Sequence, residues 1–244
     1  MKIVKLTLEY DGTAYAGWQR QPDQSTVQEV LERALAQITQ IPVSTVAAGR
    51  TDAGVHALGQ IVSFRSEKSL APTEWRRALN ALLPKDIAVQ DVEFATENFH
   101  PRYSAIGKIY EYRILNSANR SALDEHRVWH IPKTLDIPAM VLASKYFLGS
   151  HDFSSFQCSP TDNDNPICDI ERCAVIHQSP LLFITIQADR FLKQMVRTIV
   201  GTLVEVGQGK RQASDIEGVL NAADRRTAGK TAPPQGLYLV EVLY

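Results

Sequence analysis

The sequence predicts an α+β fold: two similar halves, each an antiparallel sheet with helices packed on one face. Short segments alternate apolar and polar residues at the period of a half-buried strand. Longer segments between them repeat apolar residues at helical spacing. The order strand–helix–strand–helix–strand occurs twice, on either side of a break near residues 103–107. Helices covering one face of a sheet are a standard layer solution for burying both elements. No letter-by-letter repeat accompanies this order and no low-complexity linker marks the break. The expected halves, residues 1–105 and 106–244, are therefore expected to pack tightly.

The first half opens with a strand, because Val4, Leu6, Leu8 and Tyr10 alternate with Lys5, Thr7 and Glu9. Asp11-Gly12-Thr13 reads as a turn. Ser25-x-x-Gln28 has the form of a capping box. The helix it opens carries Val27, Val30, Leu31, Ala34, Leu35 and Ile38 on one face, and Pro42 helps to stop it. Val43–Ala48 and Ile61–Phe64 are strand-like. Trp75, Ala78, Leu79, Leu82 and Leu83 mark a helix ending before Pro84, and Ala88–Phe94 follows as a strand.

In the second half Ile109–Leu115 alternates, with Tyr110, Tyr112 and Ile114 on one face. A helix is expected from about Ile137 to Leu148. Residues 159–169 are polar and loop-like. Leu181–Ala188 is a strand. Leu192–Val206 is the strongest helix, with Leu192, Met195, Val196, Ile199, Val200, Leu203 and Val204 on one side. Ser214-x-x-Glu217 caps a short helix through Leu220, and Leu237–Tyr244 is a closing strand.

With 44% hydrophobic and 22% charged residues, the 244-residue chain has an ordinary soluble composition. No apolar run approaches the roughly 20 residues of a membrane-spanning helix. The first residues carry no secretory pattern. The three cysteines, Cys158, Cys168 and Cys173, lack C-x-x-C spacing and read as reduced thiols of a cytoplasmic protein. The net charge of −1 argues against indiscriminate nucleic-acid binding. It leaves room for a local basic groove.

The densest chemistry lies in Gly49-Arg50-Thr51-Asp52-Ala53-Gly54-Val55-His56-Ala57-Leu58, between two strand-like segments. Charged loops delivered by strands are where catalytic residues concentrate. A carboxylate such as Asp52 can serve as nucleophile, general base or oriented anion. Taken alone, an Asp before a small residue and Gly is turn chemistry. Arg50 and His56 weaken that bland reading, since Arg50 and Asp52 point to one side of an extended segment.

A second signal lies near Arg190. If a helix begins there, Arg190, Lys193 and Arg197 form one basic stripe. An Arg197 close to the apolar side needs a carboxylate or a phosphate. Tyr110 and Tyr112 beside Lys108 and Arg113 could stack unpaired bases. Ordinary sheet packing explains any single Tyr as well. His100-Pro101-Arg102-Tyr103 adds a basic and aromatic cluster, and Trp18 fits core packing better than base stacking.

Other patterns fall short. Gly149-Ser150-His151-Asp152 lacks the context of a nucleophile elbow, and His151-Asp152-Phe153 suits a packed, capped turn. Asp162-Asn163-Asp164-Asn165 lacks the Gly and terminal Glu of a calcium loop. No glycine-rich phosphate loop of either standard type occurs.

Collected in order, these residues resemble the tRNA pseudouridine synthase A family from first strand to last. The matching pieces are Tyr10-Asp11-Gly12-Thr13 with Gly17-Trp18-Gln19, the Gly49–Ala57 loop, and Asn80-Ala81-Leu82-Leu83-Pro84. They continue with Phe99-His100-x-Arg102, Lys108-x-Tyr110, Gly149-x-His151-Asp152-Phe153, Met195-Val196-Arg197-x-Ile199-Val200-Gly201 and Gly236-Leu237-Tyr238-Leu239.

The resemblance implies isomerisation of uridine to pseudouridine at positions 38, 39 and 40 of the tRNA anticodon stem-loop. It implies two α+β halves around a central basic cleft, a homodimer whose subunits share one tRNA, and no cofactor or metal. The family's catalytic aspartate, the nucleophile, falls on Asp52. Its neighbouring arginine falls on Arg50, its uracil-stacking tyrosine on Tyr110, and the arginine paired with the aspartate on Arg197. Arg102, Lys108, Arg190 and Lys193 are then candidate RNA-backbone contacts. One departure stands out. Relatives commonly carry basic residues after Phe156, whereas Gln157–Asp169 holds Asp162, Asp164 and Asp169. That segment is not expected to grip phosphate.

Two other classes compete with an RNA-modifying isomerase. A non-catalytic RNA-binding module would need cations but no carboxylate facing phosphate, which Asp52 with Arg197 disfavours. A metal-dependent hydrolase could use Asp52, His56 and His100, but no H-E-x-x-H or H-x-E spacing supports it.

Overall fold

The computed structural model describes residues 1–158 and 165–244, which form two compact units. The first is Met1–Ile106 with Tyr238–Tyr244, and the second is Gly107–Leu237. The first contains β1 (Lys2–Tyr10), α1 (Val27–Thr39), β2 (Val46–Ala47), β3 (His56–Ser66), α2 (Pro72–Leu82) and β4 (Ile87–Ala95). The second contains β5 (Gly107–Asn116), β6 (Trp129–Ile131), α3 (Ile137–Ser144), β7 (Gly149–Asp152), β8 (Ile167–Gln178), β9 (Leu181–Ala188), α4 (Met195–Gly207) and α5 (Asp215–Ala222). β10 (Leu237–Leu243) then returns to the first unit. The α+β class predicted from the patterning is the class observed.

In the first unit β1 lies between β3 and β4, antiparallel to both. Cross-strand pairs such as Val4↔Phe64 and Leu6↔Val62 bury one face. Onto it pack the apolar faces of α1 (Val27, Leu31, Ala34, Leu35) and α2 (Trp75, Leu79), with Phe64 edge-on to Trp75 at 5.2 Å. The predicted cap of α1 is displaced by one residue. Thr26, rather than Ser25, accepts from the Glu29 backbone N–H. Thr26-x-x-Glu29 is itself a capping-box pattern, so two overlapping signals compete for one helix start. β3 runs far beyond the predicted Ile61–Phe64 and begins at His56, inside the charged loop. β10 pairs with β3 in parallel, Tyr238 opposite His56 and Leu239 opposite Ala57. Chain order alone groups β10 with the second half; these backbone bonds lie within the first unit.

In the second unit β5, β9, β8 and β7 pair antiparallel in that order, and β6 joins β5 in parallel. Tyr110, Tyr112 and Ile114 share one buried face with Ile186, Ile184 and Leu182 opposite. The apolar side of α4 is fully enclosed, including Met195, Ile199, Val200 and Leu203.

Three expectations need correction here. β8 occupies Ile167–Gln178, where residues through 169 read as loop. Its buried residues are Cys168, Ile170 and Cys173, and a register shift between Ile170 and Arg172 breaks the alternation. Such a bulge flips the facing pattern and hides a strand from period-two reading. Residues 159–164, including Asp162 and Asp164, lie outside the described residues. The helix expected to 148 ends at Ser144 and continues only as a 3₁₀ turn, Lys145–Phe147. α5 forms where expected, but Ser214 makes no side-chain cap; Asp215 instead accepts from the Gln212 N–H at 2.9 Å. Among the described residues no helix is long and apolar enough to cross a membrane.

Candidate active site

Asp52 sits in the loop between β2 and β3, in a turn closed by the Val55 N–H donating to the Asp52 carbonyl at 3.1 Å. Gly54 supplies a φ of +76°, a left-handed conformation that glycine adopts without strain. Arg50 is exposed, Thr51 buried and Asp52 half-buried. Thr51, between Arg50 and Asp52, is 7% exposed.

The loop is braced by the chain that follows β1. The Trp18 N–H donates to the Thr51 carbonyl at 3.0 Å, and the Gly54 N–H to the Tyr15 carbonyl at 3.3 Å. The two stretches approach so closely that side chains are excluded. A Cβ on Gly12 would fall 2.0 Å from the Val55 carbonyl oxygen, and one on Gly17, at φ +96°, would fall 2.6 Å from the Thr51 oxygen. This explains why Tyr10-Asp11-Gly12-Thr13 and Gly17-Trp18-Gln19 accompany the Asp loop: they are its floor.

Buried side chains tie the same loop down. The Tyr10 hydroxyl and Thr51 Oγ1 are 2.8 Å apart. Gln60 Nε2 donates to the Gly49 carbonyl at 2.8 Å. The His56 ring stacks on Tyr238 with centroids 4.7 Å apart. His56 Nδ1 accepts from the Gly12 N–H at 3.1 Å and lies 3.2 Å from Asp11 Oδ1. At 2% exposed, His56 is a strut of the loop.

Arg102 belongs to another loop of the first unit. There His100 Nδ1 accepts from the backbone N–H groups of Arg102 and Tyr103, each at 3.2 Å. The His100 ring lies 4.3 Å from that of Tyr103, which is 78% exposed.

In the second unit Lys108 and Tyr110 stand on β5. Tyr110 is 8% exposed and packs edge-on against Phe191, centroids 4.9 Å apart. The basic stripe expected from Arg190, Lys193 and Arg197 does not form. α4 begins at Met195, after Gln194 in the left-handed conformation, so only Arg197 of the three is helical. Leu192 fits the apolar pattern, which extends the apparent helix backwards through a non-helical segment. Arg190 and Lys193 flank Phe191 and Leu192 in that segment, with Lys193 exposed.

Arg197 is half-buried. Its Nε donates to the Ala232 carbonyl at 2.8 Å, and the Ala232 N–H returns a bond to the Arg197 carbonyl at 3.0 Å. Beside it the Tyr112 hydroxyl donates to the Pro233 carbonyl at 2.7 Å. Burial pushes the Tyr112 phenol far up, while the Arg197 charge pulls the other way. Gly201 makes the closest approach here, since a Cβ would meet the Lys230 carbonyl oxygen at 1.7 Å. The unit thus gathers Tyr110, Phe191, Tyr112 and Arg197 around the start of α4. Among the described residues no group of three or more His, Cys, Asp or Glu could hold a metal ion.

The tRNA pseudouridine synthase family matches residues 7–104 and 143–244, which include the Asp52 loop and α4. The chain belongs to that family. Its reaction class is accordingly the isomerisation of uridine in tRNA. It is 44% identical to the tRNA pseudouridine synthase A of Acetivibrio thermocellus over the full length of both chains. It is equally similar to that of Geotalea uraniireducens, again over both full lengths. Identity to the Geobacillus sp. relative of the same name is 45%, covering all of this chain and 98% of the relative. The family assignment leaves residue roles to be argued from this chain.

Sequence reasoning missed Tyr10, Asp11, Thr51, Gln60 and Tyr238 as supports of the loop. Their partners lie far away in the chain, Thr51 for Tyr10 and His56 for both Asp11 and Tyr238, separations that no periodicity reports. The only signal was the clustering of glycines in both stretches, which marks close backbone approach.

Proposed function

We propose that the chain converts uridine to pseudouridine at positions 38, 39 and 40 of the anticodon stem-loop, with Asp52 as the catalytic carboxylate. The observation that carries this reading is the Asp52 turn. It presents a half-buried carboxylate and an exposed arginine from a loop held at Gly49, Thr51, Gly54 and Val55. Precise presentation of a reacting group is worth several kcal/mol of barrier, and a mere turn would not need such bracing.

The reaction accounts for the residue types. The glycosidic bond to N1 breaks, the uracil ring turns, and C5 joins C1′. A base stacked in a helix cannot react, so the target nucleotide is flipped out. In this reading Asp52 either attacks C1′ or takes the 2′ proton to give a glycal. Tyr110 stacks on the freed uracil, Arg197 is the counter-charge of Asp52, and Arg50 intrudes into the stem, holds the flipped nucleotide or binds its phosphate. Arg102, Lys108, Arg190 and Lys193 contact the RNA backbone. The same base leaves and returns, so atoms balance with no cofactor or metal. The working form in this reading is a cytoplasmic homodimer whose subunits share one tRNA.

The test is incubation of the protein with unmodified tRNA followed by chemical mapping of pseudouridine. Signal at positions 38, 39 and 40 is expected. Signal confined to other positions would overturn the site specificity.

A further inference from the structure

We propose that Tyr10, Thr51 and Gln60 form a positioning network that aims Asp52 and Arg50. The proposal rests on the catalytic assignment of Asp52 above. Arg50 is flanked by the two residues this network holds. On one side Gln60 Nε2 donates to the Gly49 carbonyl, and on the other Tyr10 meets Thr51 Oγ1, both at 2.8 Å. Gln60 is 0% exposed, Tyr10 2% and Thr51 7%.

Both anchors stand on one two-strand ladder. Leu8 pairs with Gln60 and Tyr10 with Ala57, so β3 carries one extra residue between these pairs. A bulge of this kind re-aims side chains. Here it coincides with the positions from which Tyr10 and Gln60 reach the loop. Gly59, inside the bulge, could not carry a side chain, because a Cβ would lie 2.4 Å from the Val240 carbonyl oxygen.

A core designed only for stability would place apolar side chains here, since buried polar groups cost free energy unless fully satisfied. Gln60 Oε1 has no hydrogen-bond partner of good geometry among the described residues. Burial raises the Tyr10 phenol to about 12, with hydrogen bonds to Thr51 and Gln60 opposing the rise. Tyr10 therefore stays a neutral hydroxyl at any working pH. These buried polar contacts end on the loop on both sides of Arg50 and directly before Asp52. Misplacing a reacting group by about 1 Å can cost about 100-fold in rate, which gives the network a catalytic consequence.

The test is a double-mutant cycle on single-turnover kcat, with KM, tRNA affinity and the thermal midpoint measured beside it. Tyr10→Phe and Thr51→Val nearly conserve side-chain volume. Each is expected to lower kcat roughly 10- to 100-fold with KM and tRNA affinity unchanged. The double variant is expected to be no worse than the poorer single one, because both delete the same contact. Thr51→Ser, which keeps the hydroxyl, is expected to recover most of the loss. Wild-type kcat in the folded single variants, additive losses, or a loss that only follows the folded fraction would overturn the proposal. Asp52→Asn is run in parallel. Turnover retained by Asp52→Asn would sink the assignment of Asp52 itself. An inactive Asp52→Asn beside fully active Tyr10→Phe and Thr51→Val would sink the network alone.

Discussion

The Asp52 loop of the first unit and the α4 platform of the second are held by opposite means. The loop is held by hydrogen bonds: Trp18 to Thr51, Gly54 to Tyr15, Tyr10 with Thr51, Gln60 to Gly49 and Gly12 to His56. The platform is held mainly by volume. α4 is buried along most of its length, chiefly by Met195, Val196, Ile199, Val200, Leu203 and Val204, and its Gly201 lets the Lys230 carbonyl lie against the helix backbone. Hydrogen bonds are directional and fix an angle, whereas close packing fixes a distance. A reacting carboxylate needs the former, and a stacking surface beside a guanidinium needs the latter.

The largest effect expected from this contrast is at Asp52. Asp52→Asn should abolish pseudouridine formation while tRNA affinity stays within about tenfold, or about 1.4 kcal/mol. Chemical mapping and a binding titration check both halves. Substantial turnover in this variant would remove the carboxylate from the mechanism.

Two glycines separate the regimes next. Gly201→Ala must push the Lys230 segment off α4, and overpacking of this kind costs about 1–3 kcal/mol. The thermal midpoint should fall, with kcat per folded molecule falling less than in the Gly12→Ala variant. Gly12→Ala presses on the Val55 carbonyl instead, so kcat per folded molecule should fall with it. Identical behaviour of the two variants would erase the distinction drawn here.

The smallest effect is expected from Tyr110→Phe. Tyr110→Phe keeps the ring that packs on Phe191 and should retain at least partial activity. Tyr110→Ala should be far worse. Equal activities of the two would rule out a stacking role.

The same contrast explains what the sequence disclosed. α1, α2 and α4 and the alternating parts of β1, β5 and β9 were legible because packing against a core writes a period into the chain. α4 was read as starting too early because Leu192 fits the apolar stripe, although Gln194 is left-handed. That error also produced the basic stripe. β8 was illegible because its bulge breaks the alternation. At the site, Arg50 and Asp52 were legible as chemistry, since so many polar groups in one short loop exceed what folding requires. Their supports were not, because a bond from Tyr10 to Thr51 or from Gly12 to His56 leaves no mark on neighbouring residues.

The parallel pairing of β10 with β3 also bears on the order of events at the ribosome. Residues 1–106 emerge first, but their sheet waits for Tyr238–Tyr244, which are added only after all of residues 107–237. Contacts so far apart along the chain form slowly, because the loop between them must close first. Until then the edge of β3 at His56 and Ala57 is unpaired, and the His56 ring lacks Tyr238 beneath it. The nascent chain therefore carries Asp52 and Arg50 long before Tyr238–Tyr244 arrive to complete the sheet that holds their loop.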